Sequence, residues 1–446
     1  MSVPQLNEEH RGEEILAVFD TAFGRLLAAD PAAFRVKFRK MAASAFAFYR
    51  GTAGLFYRDL TEDPEFSGHE GGAYLDERTS RVWIHGDLHA ENFGTYMDST
   101  GRLIFNVNDF DEAYVGPFTW DLKRFAASVA LIGYAKALSD EQITELVQVY
   151  AGAYRERIHA LATGAKSDEV PPFTLDTAEG PLLGALRVAR SLTRFGLLDS
   201  MTEIRDFERR FAPGGGSVEL DAATRYKALA AFDGYLETLP ESSLARPDSY
   251  RVKDVVGRRG IGIGSAGLPS YNILLEGNSD ALENDVVIYI KQAQTPAVSQ
   301  YVTDAAIREY FQHEGHRTVI SQRALQAHAD PWLGWTELDG AGQLVAEVSP
   351  YAVDLDWSDL DDPEEIAEVV ADLGRATATM HGAADDQSGE SLVPFSTERA
   401  IDAAIAADEE GFAPLLVDFA HRYGARARAD HQTFVDLFRN GRIPGL

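Results

Sequence analysis

Between Arg81 and Glu112 the chain reads RVWIHGDLHAENFGTYMDSTGRLIFNVNDFDE, and two short blocks there are dense in proton carriers and metal ligands. His85-Gly86-Asp87-Leu88-His89-Ala90-Glu91-Asn92 follows the strand-like run Val82–Ile84, and Asn108-Asp109-Phe110-Asp111-Glu112 follows the strand-like run Leu103–Val107. Two strands that deliver Asp and Asn to one loop end are suited to holding Mg²⁺ against phosphates, with a nearby carboxylate to orient an attacking hydroxyl. On that reading Asp87 is the base that accepts the hydroxyl proton, Asn92 and Asp109 hold Mg²⁺, and Asp111 and Glu112 extend the metal site or are simply solvated. His85 braces the loop beside the base, and His89 is a loop residue. A second chemistry is open to the same block: His85, Asp87 and His89 form an HxDxH cluster of the kind that binds Zn²⁺ or Fe in hydrolases. That alternative leaves Asn92 and the Gly-rich segment unexplained.

The Gly-rich segment is Gly260-Ile261-Gly262-Ile263-Gly264-Ser265-Ala266-Gly267. A dinucleotide fingerprint needs strand, Gly turn and then helix. Here Ser270–Glu276 follows and reads as a strand, so Gly262, Gly264, Ser265 and Gly267 are expected in a flap between two antiparallel strands, the kind that covers ATP phosphates in kinases. Lys291 ends the next strand, VVIYIK, where an ammonium can reach the α- and β-phosphates. No GxxxxGK[ST] occurs, which argues against a P-loop NTPase.

The elements that must position these groups are legible in outline. Asp30-Pro31 reads as a cap and first position of a helix running to about Phe48. Asp121–Ala137 and Glu141–Ala162 read as helices from apolar spacings of three and four. Helical patterns resume from about Gly184 to Leu239, interrupted at Pro213–Gly216. From Tyr250 the character changes: Val252–Val256, Ser270–Glu276, Val286–Lys291 and Leu344–Val348 are strand-like and antiparallel, with a helix over Thr303–Ala329. Helix returns after Pro350, clearest over Glu364–His381 and again within Ser396–Phe438. Three regions follow: 1–249 helical and catalytic, 250–350 rich in strands and nucleotide-binding, and 351–446 completing the helical part.

The 446-residue chain carries 41 basic and 70 acidic residues, a formal net charge of −29. That field repels nucleic acid and anionic lipid, so no nucleic-acid or membrane partner is expected. It suits a soluble acidic surface and favours a cationic substrate. With no Cys there are neither disulfides nor thiolate sites. The polar, acidic start and the shortness of the apolar run Phe125–Leu138 point to a cytoplasmic protein.

HGDLHAEN followed by NDFDE resembles the catalytic and metal blocks of the aminoglycoside and choline kinase group, within the protein-kinase-like superfamily. The chain more closely resembles the bacterial family catalogued as domain of unknown function 2252, through FAFYRG (46–51), HGDLHAENFG (85–94), NDFDE (108–112), WDLKR (120–124), GIGIGSAG (260–267), YIKQA (289–293) and LGW (333–335). The first resemblance implies an α+β, two-lobed kinase-like fold with a mainly helical large lobe and a small antiparallel β-rich lobe. It is circularly permuted, since the catalytic block precedes the Gly flap. It implies ATP- and Mg²⁺-dependent phosphoryl transfer to a hydroxyl on a small molecule or peptide. AMP transfer on the same scaffold and a non-catalytic nucleotide-binding pseudokinase are the alternatives. Ile320 stands where kinase relatives often carry the Glu that pairs with the flap-side Lys, so Glu314 or Gln322 is expected to serve Lys291 instead.

Overall fold

The computed structural model describes residues 3–67, 72–164, 172–258, 268–326, 328–383 and 392–446, with side chains from His10 onward. The Gly262, Gly264, Ser265 and Gly267 flap lies outside the described residues.

Four helices open the chain: α1 (Val3–Ala29), α2 (Pro31–Met41), α3 (Ala45–Arg50) and α4 (Ala53–Glu62). Asp30 caps α2 by accepting from the Ala33 amide at 2.9 Å, with Pro31 in its first turn. The helix does not run on to Phe48. It stops at Met41, because the Ser44 hydroxyl takes the Ala47 amide at 3.0 Å and starts α3 in a new direction. Next come β1 (Val82–Ile84), β2 (Phe93–Met97), β3 (Leu103–Val107) and β4 (Tyr114–Gly116). They pair antiparallel as β1 with β4 and β2 with β3. Each of the two blocks is therefore a loop leaving a buried strand: β1 feeds residues 85–92, and β3 feeds residues 108–112.

The helices α5 (Phe118–Ala135) and α6 (Asp140–Ala162) follow, the second opened by a Ser139/Gln142 capping box. The expected helical stretch from 184 to 239 is broken up. It holds α7 (Gly180–Ser191), α8 (Arg194–Met201), the hairpin β5 (Thr202–Arg205) and β6 (Glu208–Phe211), the short β7 (Ser217–Val218) and α9 (Ala222–Leu236). Asp206 and Phe207 both take positive φ, 50° and 66°, which is the backbone a two-residue hairpin turn requires.

The main sheet is antiparallel with strand order β11-β12-β10-β9-β8-β7. Its later members are β8 (Val252–Arg258), β9 (Ser270–Leu275), β10 (Val286–Gln292), β11 (Gly334–Leu338) and β12 (Ala341–Glu347). Strand β7 comes from upstream of Tyr250 yet pairs with β8. Helix α9 packs on the same sheet, its Tyr235 hydroxyl bonded to the Trp332 carbonyl at 2.7 Å. The expected helix over 303–329 is two, α10 (Ala305–Tyr310) and α11 (Glu314–Leu325). His313 ends the extended break between them and caps α11 by accepting from His316 N. Helices α12 (Pro363–Ala383), α13 (Thr397–Ala407) and α14 (Glu409–Arg439) complete the chain.

The fold is thus mixed α/β: a largely helical body and an antiparallel sheet. The body's core runs from Trp83 and Phe125 to Tyr150 and Phe419, with Phe125 and Tyr150 stacked at 4.1 Å. A second core under the sheet joins Tyr235, Ile273, Ile288 and Val345. Backbone bonds from Thr95 to Val353 and from Leu355 to Phe93 splice the segment leaving the sheet onto β2. No described helix is long and apolar enough to cross a membrane.

Candidate active site

Helix α5 builds the first loop. Asp121, fully buried in its first turn, accepts the amides of His85 at 2.6 Å and Gly86 at 2.9 Å. His381 of α12 comes within 3.2 Å of the same carboxylate and is held in turn by the Tyr154 hydroxyl. His381 packs and bonds rather than facing a cavity. Gly86 has φ +78°, and a Cβ there would overlap the Glu112 carbonyl, so glycine lets the two loops touch backbone to backbone. His85 takes a bracing position: its Nε2 lies 2.8 Å from the Asn108 carbonyl and its Nδ1 accepts the Asp87 amide at 3.2 Å. Both ring nitrogens are spent on the backbone.

Three residues after Asp121, on the same face of α5, Arg124 donates from Nε to Asp87 Oδ1 at 2.6 Å and from Nη2 to the Tyr49 carbonyl at 3.1 Å. The guanidinium is fully buried, 4.3 Å above the Tyr49 ring. Arg124 therefore fixes one oxygen of Asp87. The other lies 4.0 Å from His89 Nε2. Burial raises the Asp87 pKa against the pull of Arg124 and His85. Burial, with Arg50 and Arg124 nearby, pushes His89 well down, so its imidazole is neutral. Asn92 is buried, donates to the Asp87 carbonyl at 2.9 Å, and its Oδ1 accepts from none of the described groups.

The second loop carries Asp109 at φ +58°, a conformation that costs a non-glycine residue on the order of 1 kcal/mol. Its carboxylate makes no hydrogen bond or ion pair with a described residue. The enclosing cleft walls, and then the neighbouring Asp111, push its pKa up to about 6. Lys291, at the end of β10, is paired with Asp111 although 180 positions separate them. Burial would lower the lysine's pKa, but Asp111 and Asp109 together raise it. Asp111 is pulled the other way: burial raises it, and the ammonium of Lys291 outweighs that and holds it below the usual range. Glu314 is not the lysine's partner, because it bonds to Arg317 at 2.8 Å, and Gln322 bonds to Gln326. Arg317 instead grips the backbone, donating to the carbonyls of Ala113, Asp111 and Gln294.

Asp87, His89, Asp109, Asp111 and Glu112 line one cavity of about 840 Å³, whereas Asn92 and Lys291 lie behind its lining. Helix α1 supplies an apolar wall of Phe19, Phe23 and Leu26, and residues 292–295 with Tyr301 close the far side. Glu112 accepts the Ala297 amide at 2.6 Å; burial and then Asp87 push its pKa up to about 7. Among the described residues no three His, Cys, Asp or Glu side chains converge on one metal position. Asp109 and the free Oδ1 of Asn92 nonetheless suit Mg²⁺, which takes one or two carboxylates and fills its remaining positions with water and phosphate. A smaller cavity of about 530 Å³ lies over Arg11, which is spent on the buried pair Asp59 and Asp430 and clasps α1 to α4 and α14.

Sequence reasoning missed Arg124, Arg317 and Lys37, a buried lysine of α2 on the cavity wall. A signal existed for two of them. Asp121 and Arg124 stand three apart in WDLKR and must share a helix face, and Lys37 shares the buried stripe of Phe34, Phe38 and Met41.

These observations define a mixed α/β protein with a deep, carboxylate-floored cleft between a helical body and an antiparallel sheet. The chain belongs to the family described as uncharacterized protein conserved in bacteria (DUF2252), whose profile matches residues 28–437. No curated protein and no solved structure matches it.

Proposed function

We propose that the protein is a Mg²⁺- and ATP-dependent phosphotransferase acting on a hydroxyl of a small molecule or peptide, on a permuted kinase-like scaffold. One observation carries this reading. Asp87 keeps one oxygen free of Arg124 on the floor of the cavity that also holds Asp109 and Asp111, and Asp111 is the carboxylate to which Lys291 is paired. A base, a metal-binding carboxylate without a partner and a phosphate-seeking lysine thus meet in one cleft.

The topology agrees with it. Strands β8, β9 and β10 pair in succession, Lys291 ends the third, and helix α11 lies between β10 and the β11–β12 hairpin. The Gly262–Gly267 segment, outside the described residues, lies in sequence between β8 and β9, and a Gly-rich stretch between two antiparallel strands is the order a phosphate flap has. On this reading Arg124 aims Asp87 and favours its ionised form against the opposing effect of burial, and Asp87 takes the proton of the acceptor hydroxyl. Lys291 turns from Asp111 toward the phosphates. Asp109 and Asn92 would hold Mg²⁺, which supplies neutralisation of charge on the transferring phosphoryl group. The hydrolase alternative loses support because His85 cannot ligate a metal without giving up a loop-bracing bond.

The test is transfer from ATP labelled at either the α- or the γ-phosphate, with Mg²⁺ and a panel of hydroxyl-bearing metabolites and peptides. Label leaving the γ-position for an acceptor is the expected result. Acceptor labelled from the α-position would replace phosphoryl transfer by AMP transfer. Binding of ATP with no labelled product across the panel would favour the pseudokinase.

A further inference from the structure

Lys37 lies inside the protein, 5% exposed, on the face of α2 that packs toward α1. It makes no hydrogen bond and no ion pair with any described residue. Two aromatic rings lie close to it: Nζ sits 3.9 Å from the centre of the Phe23 ring and 5.6 Å from that of Phe34. The side chain nevertheless lines the 840 Å³ cavity, together with Asp87 and Glu112. An ammonium has three donors, and a ring face satisfies one direction only. Burying a charge without a counter-charge is costly. Burial holds the lysine's pKa down to about 8, against the pull of Glu112 and Asp87. Neither carboxylate pairs with it: Asp87 is bound through Oδ1 to Arg124 and Glu112 through Oε2 to the Ala297 amide, and no ion pair joins either to Lys37 among the described residues.

We propose that Lys37 anchors a phosphate or carboxylate group carried by the acceptor, so that the acceptor is an anionic hydroxyl compound. This rests on the phosphotransferase reading, which assigns the Asp87 side of the cavity to the acceptor. Lys37 lines the same cavity as Asp87 and Glu112, whereas Lys291 is engaged with Asp111. The two lysines thus divide the site, one for the nucleotide and one for the acceptor. Arg50, also on the cavity wall, is already paired with Glu91 and is half-exposed, so it does not duplicate Lys37. The net charge of −29 suggested a cationic acceptor, but such a molecule would meet an unpaired ammonium here.

The experiment uses the full chain and two probes, inorganic phosphate and acetate, at constant ionic strength held with NaCl. Labelling of Lys37 by an amine-reactive reagent is followed by mass spectrometry in the wild-type protein, and probe affinity by calorimetry in wild type, Lys37→Met and Lys37→Arg. Saturable protection of Lys37 by phosphate, acetate or both is expected, and the better probe names the group. Lys37→Met should weaken that probe roughly 10- to 100-fold, the loss typical of a hydrogen bond to a charged partner, and Lys37→Arg should stay within a few-fold. Protection by neither probe would overturn the proposal, even if Lys37→Met failed to fold. So would equal affinity in the Met variant. Mg²⁺-dependent ATP binding, measured separately, decides the phosphotransferase reading: if ATP binds and the anions do not protect Lys37, only the acceptor assignment falls.

Discussion

Asp87 is held by one oxygen and left open by the other, and that asymmetry separates orientation from reaction. Asp87→Asn keeps the shape and an acceptor for Arg124 but removes the proton acceptor. Losing general-base help costs ~10²–10⁴ in rate, so the variant should bind Mg·ATP nearly as wild type does and turn over far more slowly. Equal turnover with a known acceptor would remove Asp87 from the role. Glu112 makes a different claim, through pH. Its folded pKa, about 7, lies above the ordinary 4.5, so the native state prefers the proton. Stability is therefore lost as pH rises from about 4.5 to about 7, because the carboxylate must ionise among Asp87 and buried surface. Glu112→Gln retains an oxygen for the Ala297 amide and cannot ionise. The variant's melting temperature should exceed that of wild type by a margin that grows through this window and is flat above about pH 8. A margin independent of pH would show that Glu112 does not titrate there.

At the scale of elements, helix α5 is the part that makes the site. Its first turn holds the backbone of residues 85–86 through Asp121, and its next turn holds Asp87 through Arg124. Arg124→Met should leave the Asp87 carboxylate and the Tyr49 carbonyl without their donor. Breaking a buried ion pair from one side costs about 3–5 kcal/mol, to be read from chemical denaturation. The double variant Asp87→Asn/Arg124→Met should lose less than the two single losses added, because the Asn removes the buried charge that Arg124→Met leaves unpaired. Strict additivity would mean that the pair does not hold the loop. Elements were also where sequence reading succeeded and failed. Strands β8, β9, β10 and β12 were legible because β-branched runs bounded by Gly, Asn and Asp have few other uses. Strand β11 was overlooked although Asp339-Gly340, both at positive φ, is the turn that joins it to β12. The 202–211 hairpin hid because Asp206-Phe207 carries no glycine to announce its turn. The breaks at Ser44 and His313 are side-chain caps, and caps inside a continuous helical pattern do not alter its periodicity.

At the scale of the whole molecule, the site exists only because two distant segments meet. Asp87, Asn92, Asp109 and Asp111 were readable as one constellation from strand–loop spacing, and Lys291 from its place after a Gly-rich turn. Their meeting was a matter of topology. The partner of Lys291 was read as a residue of α11 and proved to be Asp111, because Arg317 of that helix binds the backbone of the same loop and brings it under β10. The ion pair between sheet and body is thus also a link between the two cores, and a ligand that bridges Asp109 and Lys291 should reinforce it. Any ligand that binds only the native state stabilises it, by about 2.7 kcal/mol at a hundredfold excess over Kd. ATP is expected to raise the melting temperature more with Mg²⁺ than without it. Asp109→Asn should abolish the metal-dependent part while leaving the metal-independent part, since Lys291 remains. The same part should fade in wild type as pH falls below about 6, where Asp109 takes up its proton and ceases to be a ligand. A Mg²⁺-dependent shift that survives both the substitution and the acid would place the cation elsewhere, and the carboxylate at φ +58° would need another reason for its strain.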